Sequence, residues 1–191
     1  MKCRWVRSNI SSIRFISSFI LIALIIGFIL FNNENINVKE SVINSIKEID
    51  INIVNTRENV FLYHLGLVSI FIVLSIILIG LPLYLIYYFY EFVSIGYLLS
   101  VLFSYKKING LLFGVIFTFI NKILFLVILS YFLINMINYT KRYIKSFKMN
   151  KNDLIMNYLY KCFFVILLVI INDIFLYFLG NKLTSIFLFL L

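Results

Sequence analysis

Three charged residues stand inside otherwise apolar runs: Glu91, Lys122 and Asp173. A charge at the centre of a bilayer costs about 3 kcal/mol or more unless it is paired, hydrated or turned into a bundle. Such residues serve in one of two ways. They line a proton or ion path, or they pair between helices, Lys122 with Glu91 or with Asp173, and fix the register of the bundle. The one histidine, His64, stands where an apolar run begins and has no Cys or second His at metal-sharing spacing, so it reads as an interfacial polar residue. Cys3 and Cys162 read as free thiols, and Cys3 lacks the small and apolar residues that precede a lipoprotein cleavage site. The chain carries no Walker loop, no H-E-x-x-H, no G-x-S-x-G and no C-x-x-C. No enzyme, cofactor or metal is expected.

The elements that hold these residues must be membrane helices. Of the 191 residues 63% are hydrophobic and 13% charged, whereas a soluble domain is about half apolar and about a quarter charged. The net charge of +9 would suggest nucleic acid in a soluble protein. Among apolar spans, Lys and Arg instead mark the cytoplasmic side, so the expected partner is the lipid bilayer and not nucleic acid. The run Ile13 to Phe31 follows Lys2, Arg4, Arg7 and Arg14 and reaches about 28 Å as a helix, enough to span. It ends in Phe31-Asn32-Asn33-Glu34 without an A-x-A-like exit, which reads as an uncleaved anchor. Phe61 to Phe103 would reach about 65 Å as one helix and must fold back. Gly80 and Pro82 mark the break, because proline lacks the N–H that a continuing helix needs. Tyr84, Tyr87, Tyr88 and Tyr90 follow it and read as an interfacial aromatic belt. After a short turn at 104–110, Leu111 to Tyr139 is again too long for one untilted span. Asn121-Lys122 interrupts it, so 111–119 reads as re-entrant or interfacial and 121–139 as the true span, the other reading being a tilted helix that runs through.

The expected fold is therefore an all-α polytopic bundle of about five spans, roughly 13–31, 62–80, 83–103, 121–139 and 162–179, in one membrane domain 1–191. The positive-inside rule places the amino-terminal segment and the basic loop 140–161 in the cytoplasm, which requires an even number of crossings between them. The loop 32–60 holds three basic residues against five acidic ones and falls outside, as does the tail. In that loop Ile36, Ile43, Ile46, Ile49 and Ile53 recur at amphipathic spacing and are the candidate partner-docking surface, with a lid over the bundle as the alternative. Gly96 and Ser100, and again Gly110 and Gly114, have the four-residue spacing that lets helices approach closely.

The order of these features resembles stage II sporulation protein M. The features are an isoleucine-rich span, Gly80-Leu81-Pro82, an aromatic-aliphatic span with Gly96, a short turn, and Gly110-Leu-Leu-Phe-Gly-Val-Ile leading to Asn121. The resemblance covers most of residues 10–180. The chain departs from the family pattern at His64, where an Asn is common, and at Ile120, where a Pro is common. The resemblance implies a scaffold in the mother-cell membrane at the sporulation septum. Such a scaffold acts with stage II sporulation proteins D and P, which degrade septal peptidoglycan during engulfment. Without the resemblance, a small membrane transport component built around Glu91, Lys122 or Asp173 is the alternative.

Overall fold

Long apolar runs with few helix breakers satisfy their backbone polar groups within one helix, which is the form lipid demands of them. The computed structural model describes residues 2–47, 57–145 and 151–180. Six α-helices carry them: α1 (Lys2–Asn33), α2 (Ile36–Lys47), α3 (Arg57–Ile76), α4 (Gly80–Thr118), α5 (Leu124–Lys145) and α6 (Lys151–Phe175). A π-helical segment, Phe119–Ile123, joins α4 to α5, and another, Leu176–Gly180, follows α6. The regular structure among the described residues is all helical, as the sequence predicts.

Helix α4 is two limbs. Lys106 and Lys107 leave helical geometry, Lys107 with φ 51° and ψ −125°, and the chain reverses there. Residues after the turn then run back along the first limb. A Cβ on Gly110 would collide with the carbonyl of Leu102, and one on Gly114 would meet the side chains of Leu99 and Leu102. Further along the same hairpin Lys122 meets Glu91 and Phe132 meets Tyr84. The segment 111–119 is thus no separate re-entrant piece. It continues through the π-helical residues into α5 and packs against the first limb of α4. The Asn121-Lys122 interruption predicts a break there, and the carboxylate of Glu91, one of the two partners expected for Lys122, removes the reason for one.

The remaining directions follow from paired contacts. Phe19 meets Phe89 and Phe31 meets Tyr97, so α1 runs parallel to the first limb of α4. The two helices pack along an extensive shared face. Its closeness comes from small residues: a Cβ on Gly27 would strike the carbonyl of Val93, and one on Gly96 that of Leu24. Buried Ala23 and Ser100 extend each small face by one turn. Helix α6 runs antiparallel to α3, through His64–Asp173 and Ser75–Tyr158, and to α5, through Tyr131–Phe164 and Tyr139–Tyr158. Asn138 Nδ2 donates to Asn9 Oδ1 at 2.7 Å. The start of α1, the end of α5, the start of α6 and the α3–α4 turn therefore share one end of the bundle.

The α3–α4 turn occupies residues 77–79, with Leu78 at φ 68°. It falls just before the expected break. Gly80 opens α4 pressed against the backbone of Ser75, and Pro82 lies in the first turn, where its missing N–H costs nothing. Pro82 starts a helix here; it does not interrupt one.

Large apolar side chains point outward on every long helix, among them Leu21 (61% exposed), Ile70 (60%), Val127 (61%) and Ile171 (63%). Water does not tolerate such a surface all round a bundle; lipid does. The segments Asn9–Asn33, Gly80–Lys145 and Asn152–Phe178 are long and apolar enough to cross a membrane, and Phe61–Ile76 is a shorter apolar helix. The chain is a membrane protein with a helical bundle fold.

Candidate functional site

The intramembrane charges are all engaged by side chains of other helices. Glu91 sits eleven residues into α4, about 16 Å from its start. Its Oε1 accepts from the Tyr87 hydroxyl at 2.9 Å, one turn earlier, and its Oε2 accepts from Lys122 Nζ at 3.2 Å. Lys122 reaches it from the π-helical segment. Polar side chains bond back to the preceding turn around this π-helical segment: Asn121 Nδ2 donates to Phe117 O at 3.0 Å and Thr118 Oγ1 to Gly114 O at 2.7 Å.

Asp173 pairs with a residue the sequence reading assigned to the interface. His64 Nδ1 donates to Asp173 Oδ1 at 2.9 Å, and Asn172 Nδ2 donates to the same oxygen at 3.0 Å. The imidazole stacks on Phe125, with ring centroids 3.9 Å apart. His64 thus joins α3 to α5 and α6 at once. Asp173 Oδ2 and Asn172 Oδ1 are buried with no hydrogen-bond partner. Lys122 takes Glu91 and not Asp173, so the two pairs are distinct. A 109-residue separation hides the His64–Asp173 contact from any local pattern.

The tyrosines after Pro82 divide by helix face. Tyr84 and Tyr88 are fully buried, Tyr87 is half-buried against Glu91, and Tyr90 is exposed. Tyr84 donates to Leu129 O at 3.0 Å. Ser130 Oγ already donates to Leu126 O, so the Tyr88 hydroxyl is the donor in its 2.6 Å bond to Ser130. An interfacial belt therefore describes Tyr90 at most. Tyr84 and Tyr88 are core residues whose hydroxyls fasten α4 to α5, a buried role that requires a partner for each hydroxyl.

The candidate docking residues are only partly placed. Helix α2 packs on α4 after a tight turn in which Lys39 Nζ donates to Asn32 O at 2.6 Å. Ile36 is exposed, Ile43 is half-buried and Ile46 lies on α2, while Ile49 and Ile53 fall outside the described residues. Cys162 is a free, buried thiol. No group of three or more His, Cys, Asp or Glu gathers at metal-holding distance among the described residues.

The chain matches no protein-family model, no curated protein and no solved structure.

Proposed function

We propose that this chain is a five-crossing membrane scaffold that resembles stage II sporulation protein M. In that reading it lies in the mother-cell membrane at the septum. It holds peptidoglycan-degrading partners, stage II sporulation proteins D and P, during septal thinning and engulfment. The observation that carries the scaffold reading is the engagement of each intramembrane charge by another helix, Lys122 with Glu91 and Asp173 with His64. Charges spent on helix-to-helix contacts stabilise a rigid platform. The sporulation role rests on the resemblance of Gly80-Leu81-Pro82, Gly96 and Gly110 through Asn121. The five crossings are α1, α3, the two limbs of the 80–145 hairpin and α6. The shared end of Asn9, Asn138 and the start of α6 supports a cytoplasmic side that carries both basic segments. Affinity capture of the tagged full chain from sporulating cells tests the role. Recovery of peptidoglycan hydrolases is the expected result, and their consistent absence would sink it.

A second reading, a small transport component, is favoured by one observation. Asp173 Oδ2 and Asn172 Oδ1 are buried acceptors with no partner, a disposition suited to a proton or cation. Cation uptake into vesicles, abolished by Asp173→Asn, would support it; uptake equal to that of empty vesicles would discard it.

A further inference from the structure

A second set of buried polar groups gathers at the end of the bundle that carries the basic segments. Asn135, Tyr139 and Arg142 fall on one face of α5 at positions i, i+4 and i+7. Asn157, Tyr158 and Lys161 face them from α6, and together they line a cavity of about 30 Å³ that opens to the surface. Tyr139 and Tyr158 stack across the joint with ring centroids 4.3 Å apart. The lining holds two cations and no carboxylate.

Two atoms in this lining have nothing to bind. Asn135 is 4% exposed and Tyr139 3% exposed, and Asn135 Nδ2 and the Tyr139 hydroxyl are both buried without a hydrogen-bond partner. An amide N–H₂ is a donor only, and a phenol is a better donor than acceptor, so the two groups together call for an acceptor. Leaving such groups unpaired is costly, so a partner that accepts from both stabilises the site. A water needs about 10–15 Å³ of such space, so the cavity admits two or so oxygen-sized groups. Arg142 and Lys161, both exposed at the mouth, set the sign of what approaches. Donors at the base and cations at the rim are the recognition chemistry of a phosphate group. In a membrane protein, basic pockets between helix ends take the headgroups of anionic lipids.

The geometry points to a binding site for the phosphate of an anionic phospholipid headgroup between α5 and α6. Arg142 and Lys161 draw in the phosphate, while Asn135 and Tyr139 donate to its oxygens. The acyl chains lie along the apolar outer faces, where Phe163 and Phe164 are exposed.

The test uses the full chain in micelles, stripped of native lipid, with binding read by native mass spectrometry. The probes are short-chain phosphatidylglycerol, phosphatidylcholine of the same chain length, and inorganic phosphate. The expected result is saturable binding of one phosphatidylglycerol, with phosphatidylcholine and inorganic phosphate each weaker by about tenfold or more. Tyr139→Phe keeps the ring stack on Tyr158 and should weaken phosphatidylglycerol about tenfold, as should Asn135→Ala and the pair Arg142→Gln/Lys161→Gln. Lys141→Gln/Lys145→Gln removes as much charge from exposed positions outside the lining and should leave affinity within about twofold. Helical circular dichroism confirms that each variant folds. Absence of saturable phosphatidylglycerol binding would overturn the site, as would unchanged affinity in Tyr139→Phe and Asn135→Ala, or an equal loss in Lys141→Gln/Lys145→Gln. Inorganic phosphate binding as tightly as phosphatidylglycerol would overturn the lipid source and leave a site for free phosphate.

Discussion

Replacing Lys122 by Met keeps the length of its stem and removes the charge, leaving Glu91 in an apolar setting with only the Tyr87 hydroxyl for a partner. Breaking a fully buried ion pair costs about 3–5 kcal/mol, and a lone charge at mid-bilayer costs about 3 kcal/mol. Here the side chains are 39% exposed for Lys122 and 15% for Glu91, so the pair is not sealed in protein; snorkelling and local thinning of the bilayer offset part of the cost, and the figure falls to about 2 kcal/mol. Glu91→Gln, which strands Lys122 instead, should cost about the same. The double variant Glu91→Gln/Lys122→Met removes both charges and should be no worse than either single, giving a coupling of about 2 kcal/mol. The charge-reversed pair, Glu91→Lys/Lys122→Glu, should recover most of the loss. Reversible unfolding in mixed micelles, followed by helical circular dichroism, measures all four variants. Single effects below about 0.5 kcal/mol that simply add, with no gain on reversal, would refute a structural pair.

Other perturbations probe the packing directly. Gly96→Leu drives a side chain into the backbone of α1 at Leu24 and should cost about 3 kcal/mol in the same unfolding assay; a loss under about 1 kcal/mol would mean that α1 does not sit this close to α4. Lys107→Gly relaxes a residue at φ 51° and should stabilise the bundle by about 1 kcal/mol, visible as a higher melting temperature; a lower one would contradict the turn geometry. Tyr84→Phe removes the hydroxyl from Leu129 O and should cost about 1 kcal/mol, whereas Tyr90→Phe, on the exposed face, should cost nothing measurable.

The outline of the fold was legible because lipid imposes length and apolarity on each crossing, and both are written locally in the chain. The reversal at 104–110 showed through its polar residues, and the α3–α4 turn showed through Pro82 to within a few positions. What stayed hidden depends on contacts between distant residues. That Lys122 pairs with Glu91 and not with Asp173, the two partners its sequence allows, is decided only by the hairpin that brings residues 31 apart together. Asp173 and His64 are polar groups in separate runs, and nothing short of the α3–α6 crossing joins them. The small face of α1, Ala23 and Gly27, is embedded in an isoleucine-rich run, so it is less conspicuous than Gly96 and Ser100 on the helix it packs against. The tyrosines after Pro82 have one composition and two environments, and helix phase alone separates core Tyr84 and Tyr88 from exposed Tyr90.

Sidedness is the most direct test of the five-crossing bundle. In the proposed topology three crossings, α3 and the two limbs of the 80–145 hairpin, separate α2 from the start of α6. Single cysteines at Asn44 and Asn152, both exposed positions, can be introduced with Cys3 and Cys162 replaced by Ser. Intact cells are then treated with a membrane-impermeant maleimide. Asn44→Cys should label in intact cells and Asn152→Cys only after lysis. Labelling of both positions from the same side would contradict the account, since it would require an even number of crossings between them.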